Sequence, residues 1–273
     1  MKRRRNWFIG GALAVAFAAT AAAPGGLAAV GRSTALPEVC REDGSPQGGQ
    51  AKIATAKLII EYNFTDDDLG VHGAFDDHGW SELCVFDPNG CPIAVVDPRS
   101  QLNDLTMAGI FFESREPPGS EFSMADLEAA FPEGRYTVRG TSFDGTILVG
   151  NALFTHDVPA PPTITSPEIT PEPDQTGTPV PRASLVIGWD PVTETVTGGP
   201  VKITGYEVII TKEVDDDRHG FSRPTYDVHV PGTQSTLSVP MEFLEPNTVY
   251  ELEVLALERS GNQTISVGFF MTD

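Results

Sequence analysis

The chain has 273 residues, enough for two domains, and its 40% hydrophobic content supports packed cores rather than disorder. The formal charge is −20, or −24 once the basic residues Lys2, Arg3, Arg4 and Arg5 are removed with a leader. Such a field repels nucleic acid and anionic lipid, since binding either needs Lys and Arg facing phosphate.

The first residues, MKRRRNWFIGGALAVAFAATAAAPGG, read as a secretory signal peptide over 1–23. It has a basic start, an apolar stretch from Trp7 to about Ala19, and small residues at Ala21, Ala22 and Ala23. The alternative is an uncleaved N-terminal anchor, although the apolar stretch is short and alanine-rich for a membrane span. No cysteine follows it for a lipid anchor, Asn6-Trp7-Phe8 fits a twin-arginine pattern poorly, and no later segment is apolar enough to span a bilayer. An exported protein, periplasmic or extracellular, is expected. Residues 24–53, rich in Gly, Ser and Gln, read as a flexible tether, with order beginning at Ala54.

From there the chain shows short runs of strand character at 57–62, 81–86, 93–96, 108–113, 134–140 and 146–156. Asp87-Pro88-Asn89-Gly90 and Asp144-Gly145 supply hairpin turns. One short helix is predicted at 123–131, with Ser123 as N-cap, Asp126 answering it three residues on, and Pro132 and Gly134 ending it. Residues 54–158 therefore form a compact antiparallel β domain with one short helix, read as a second sandwich. The Pro-rich run His156 to Pro162 reads as a short, stiff connector to the C-terminal domain.

In residues 159–273, alternating runs occur at 183–189, 203–212, 225–230, 236–239, 250–256 and 264–270, with a further strand placed at 163–169. Turn-forming clusters such as Gly198-Gly199-Pro200, Pro231-Gly232 and Ser260-Gly261-Asn262 separate them. Trp189 followed by Asp190-Pro191, Tyr206 within ITGYEV, and LEPNTVYEL around Leu244 and Tyr250 are similar to the motifs of the fibronectin type III family. That resemblance implies an immunoglobulin-like sandwich with Trp189, Tyr206, Leu244 and Tyr250 in its core, the Tyr250 hydroxyl bonding back to upstream backbone. The phrases LIIEYNFTDDD, FDPNG, FFES and FPEGRYTVRG resemble an uncharacterised β domain of exported bacterial proteins that precedes a fibronectin type III domain. The expected fold class is all-β: two sandwich-like domains in tandem after a signal peptide.

Three cysteines, Cys40, Cys84 and Cys91, leave one unpaired. Cys84 and Cys91 flank a hairpin turn, so a strained Cys84–Cys91 bridge is one pairing, and Cys40 to either is its rival. No CxxC or His/Cys spacing points to zinc.

The sharpest constellation is the stretch from Asp66 to His78, with five carboxylates in twelve residues, read as a loop between strands. Hard oxygen ligands there would suit calcium, through Asp66, Asp68 and Asp76. EF-hand spacing fails, since Val71 stands where glycine is required and no Glu closes the loop, and the plainer reading is a solvated acidic loop. Zinc through His72 and His78 with an aspartate lacks a tetrahedral set. Asp215-Asp216-Asp217 reads as a solvated loop run. Trp80, Phe64 and Phe75 are the aromatic candidates for a sugar platform, although Trp80 reads better as core. Asn63-Phe64-Thr65 and Asn262-Gln263-Thr264 have the form of glycosylation sequons.

No nucleophile elbow, zincin, P-loop or dinucleotide motif is present, and His156, His219 and His229 have no catalytic partner in sequence. No cofactor is called for, calcium excepted. The composite expectation is a non-catalytic binding protein whose partner is an envelope or extracellular protein. A carbohydrate-binding accessory protein is the alternative, then a hydrolase with an unrecognised site, which would need convergent polar groups and shifted acidities.

Overall fold

The computed structural model describes Cys40, residues 49–214 and residues 224–273. The leader, most of the tether, Asp215-Asp216-Asp217 and His219 lie outside the described residues. Among the described residues no helix is long and apolar enough to cross a membrane.

The N-terminal half comprises β1 (Gln50–Lys52), β2 (Thr55–Asn63), β3 (Asp68–Phe86), β4 (Pro92–Val96), α1 (Gln101–Leu105), β5 (Met107–Glu113), α2 (Met124–Ala130), β6 (Gly134–Ser142) and β7 (Ile147–Phe154). The α2 helix starts as its sequence dictates: Ser123 and Asp126 form a reciprocal capping box. β3 organises this half. Its first part lies between β2 and β5, and its second part between β6 and β4. Register shifts at Trp80, beside Gly79 with φ 155°, mark the bend between the two parts.

Two features depart from the sequence reading. Gln50–Lys52, placed in the tether, form β1 in parallel register with β7, so order begins before Ala54. The acidic loop is the start of β3: Val71, Gly73 and Phe75 face the core while His72, Ala74 and Asp76 take the other face. Charge concealed that alternation.

The C-terminal half comprises β8 (Ile164–Ser166), β9 (Val186–Trp189), β10 (Ile203–Lys212), β11 (Thr225–Pro231), β12 (Thr236–Ser238), β13 (Val249–Glu258) and β14 (Gln263–Met271). One sheet runs β12-β9-β8, and the facing strands run β14-β13-β10-β11. This three-on-four arrangement is fibronectin type III-like. Trp189, Tyr206, Leu244 and Tyr250 are all buried in the cluster between the sheets. Trp189 packs on Tyr206 with ring centroids 5.3 Å apart. The Glu245 N–H donates to the Tyr250 hydroxyl at 2.7 Å, locking the corner before β13.

The halves have separate cores, one drawn from residues 53–158 and one from residues 164–270, yet they share a sheet. β14 pairs in parallel with β2, with Gln263 opposite Glu61 and Ile265 opposite Asn63. The result is a continuous eleven-stranded sheet. The Pro-rich connector is pinned as well as short: Ala160 N–H donates to Glu194 O at 2.9 Å and Val196 N–H to Val158 O at 2.9 Å.

Cys40 bonds to Cys84, with Cα atoms 5.6 Å apart, and Cys91 is free and exposed. This corrects the Cys84–Cys91 pairing. The turn places Cys91 opposite Asp87, while Cys84 is buried further along the strand, opposite Val95.

Candidate functional site

The seam between the two halves is built by three consecutive residues after the β13 turn. Asn262 is fully buried; its Oδ1 accepts the Ile60 N–H at 2.8 Å, and its amide donates to Thr155 O at 2.9 Å. Gln263 donates to the Glu61 carboxylate, and Thr264 Oγ1 to Pro159 O at 2.6 Å. The sequon form of this triplet thus belongs to a buried structural joint. Asn63 is buried too, its Oδ1 accepting the Thr65 and Asp66 N–H groups at 3.1 and 3.2 Å to close the β2–β3 hairpin.

Beside this joint lies a cluster of titratable groups on the sheet face opposite the N-terminal core. Glu61 comes from β2, His72 from β3, and Glu116 from the segment after β5. His72 Nε2 is 2.8 Å from Glu116 Oε1, and Nδ1 is 3.6 Å from Glu61 Oε2. One ligand atom from each of Glu61, His72 and Glu116 falls within 4.8 Å of the others. His72 Nδ1 is buried with no hydrogen-bond partner. The ring of Phe111 meets the imidazole edge-on, with centroids 5.7 Å apart. Gly70 makes room for Glu116, because a Cβ there would lie 2.8 Å from Glu116 Cγ.

The electrostatics follow from crowding. Burial pushes Glu61 up to about 7; His72 opposes that rise and Glu116 adds to it. Burial, then the field of Glu116, lifts Asp68 to about 7, and the same pair of causes raises Glu113. Burial alone would lower His72, but its hydrogen bond to Glu116 and the field of Glu61 raise it overall.

A second group sits on β10 and β11, where Glu207, Asp227 and His229 share a face. Burial, then Asp227, raises buried Glu207 to about 8. Separately, a largely apolar cavity of about 240 Å³ is lined by Leu69, Val71, Ser114, Phe122, Leu127 and Phe131.

The residues singled out for calcium do not converge. Asp66 precedes β3, whereas Asp68 and Asp76 lie eight residues apart along it, opposite Asn63 and Thr55. An extended strand of that length separates them by roughly 26 Å. His78 is exposed; its backbone N–H donates to Asp77 Oδ1 at 2.7 Å and its ring Nδ1 lies 3.9 Å from the same oxygen, away from His72. Trp80 and Phe75 are core side chains, which leaves Phe64 as the exposed member of the three aromatics. Sequence reasoning missed Glu61, Glu116 and Gln263. Glu61 did carry a signal, as a charge inside the apolar run LIIEY.

No protein-family model matches the chain, and no curated protein matches it. Among solved structures it is similar to the third fibronectin III domain of human KIAA0343 protein, at 19% identity over 42% of this chain and 84% of that one, with a TM-score of 0.31. It is also similar to chicken CNTN1 FN1-FN3 domains, at 15% identity over 82% and 69% of the two chains, with a TM-score of 0.33. A two-domain fibronectin type III segment of chicken tenascin gives 11% identity, 80% and 99% coverage, and a TM-score of 0.28. The strand order and the buried Trp189–Tyr206–Tyr250 core, rather than these likenesses, define the C-terminal half as fibronectin type III-like.

Proposed function

We propose that this chain is an exported, non-catalytic binding protein of the cell envelope or extracellular space, whose partner is a protein. The domain plan proposed with it is a leader at 1–23, a tether, a β domain ending near 158, and a fibronectin type III-like domain from 159. The observation that carries the reading is the end of the shared sheet. Among the described residues β11 pairs with β10 on one side and with no strand on the other. From Tyr226 to Val230 it alternates half-buried and exposed residues, the form of an edge that accepts an added strand from a partner. The rigid seam supports the same role, because it presents that edge in a fixed relation to the N-terminal half. A sugar-binding platform is less well supported, since Trp80 and Phe75 are committed to the core.

The test is cross-linking in the native host, followed by affinity capture of the tagged chain. Repeated recovery of one abundant protein supports the reading. Recovery of polysaccharide, or of background alone, refutes it.

A further inference from the structure

We propose that His72, through Nδ1, and Glu61 bind a divalent cation of the zinc type at the seam between the two halves, with Glu116 orienting the imidazole. Glu116 Oε1 is 2.8 Å from His72 Nε2, and a carboxylate accepts, so Nε2 carries the hydrogen. In the neutral ring Nδ1 then bears the lone pair. That lone pair lies 3.6 Å from Glu61 Oε2, too far for a hydrogen bond, and it is buried with no partner.

With the ring neutral and Glu61 ionised, two acceptors confront one another in a buried place, an arrangement that a shared cation satisfies as well as a proton does. With bonds of roughly 2.0–2.1 Å, two ligands of one tetrahedral ion stand about 3.3–3.5 Å apart, close to the separation seen here. Imidazole ligating through one nitrogen while the other donates to a carboxylate is the usual way a protein fixes the tautomer of a metal ligand. Glu116 fills that role, as the acceptor of the Nε2 hydrogen. Gly70 supplies the space that lets Glu116 reach in.

The charge balance points the same way. Glu61, Glu113 and Glu116 crowd a single imidazole, and added positive charge relieves their repulsion. The mixed nitrogen and oxygen donors favour zinc, or manganese next, over calcium, which takes oxygen ligands. Because Glu61 also accepts from Gln263 on β14, the ion would tie the two halves together.

The experiment is a calorimetric titration of the chelator-treated full chain at neutral pH with zinc chloride, and in parallel with calcium chloride. One equivalent of zinc should bind, with a rise in Tm, and calcium should bind far more weakly. His72→Gln should abolish zinc binding, and Glu116→Gln should weaken it about 10- to 100-fold. Should His72→Gln fail to fold, cobalt(II) added to the unaltered chain gives a second readout, since an imidazole-bound tetrahedral ion absorbs visibly. Absence of stoichiometric binding overturns the proposal and leaves His72 an imidazolium between two carboxylates. Binding that survives His72→Gln, or that is lost on His229→Gln, overturns it in favour of the Glu207–Asp227–His229 group.

Discussion

Replacing Asn262 by alanine removes the side chain through which the second half of the chain grips the first. The Ile60 N–H, buried in the N-terminal sheet, loses its acceptor at 2.8 Å. An unsatisfied buried donor of this kind costs about 1–3 kcal/mol. Loss of the amide's bond to Thr155 O adds roughly 0.5–1.5 kcal/mol. The expected total is about 2–4 kcal/mol, a large share of the ~5–15 kcal/mol that stabilises a typical domain. The penalty falls on the seam rather than on either core, so it should also reduce coupling between the halves. Guanidinium unfolding can follow each half separately, since Trp80 lies in one core and Trp189 in the other. With Trp80→Phe and Trp189→Phe reporters, the parent should show coincident transitions, and the Asn262→Ala versions should show separated midpoints. A loss under ~0.5 kcal/mol with transitions still coincident would refute the account of the seam.

Stability should fall as pH rises from about 4.5 to 7, because folded Glu61 keeps a proton up to about 7 that the unfolded chain releases near 4.5. His72, also raised, stabilises below its unfolded value and loses that contribution as pH climbs through its folded one. With chelator present, Glu61→Gln should flatten this slope by about 1–3 kcal/mol between pH 4 and 8, measured by denaturation; an unchanged slope counts against the buried cluster. Trp189→Ala should cost about 3–5 kcal/mol, and a Tm within a degree of the parent would contradict its burial. Native alkylation without reductant should modify one thiol per chain, at Cys91, and modification at Cys84 would show the Cys40–Cys84 bond to be absent.

Legibility in the sequence tracked how directly each residue's role depends on its neighbours. The run ITGYEVIITK coincides with β10, and Ser123 with Asp126 announces α2, because alternation and capping are local rules. β3 is less legible, because its outward residues are charged and its Gly70 and Gly73 answer to Glu116 and Phe112 rather than to a turn. The candidate site was less legible still. His72 meets Glu116 across 44 positions, and Glu61 meets Gln263 across 202. No spacing pattern reports contacts made only after two sheets have joined.

The parallel pairing of β2 with β14 also sets how the molecule bears tension. The N-terminal end of β2 and the C-terminal end of β14 lie at opposite ends of their contact. With the Cys40–Cys84 bond reduced, a pull between the tether and Asp273 therefore slides one strand along the other. The bonds across the contact, including Phe64 N–H to Ile265 O and Val267 N–H to Thr65 Oγ1, are strained together rather than unzipped in turn. Stretched in a single-molecule instrument, the reduced chain should resist until this contact shears, and only then should the two cores extend.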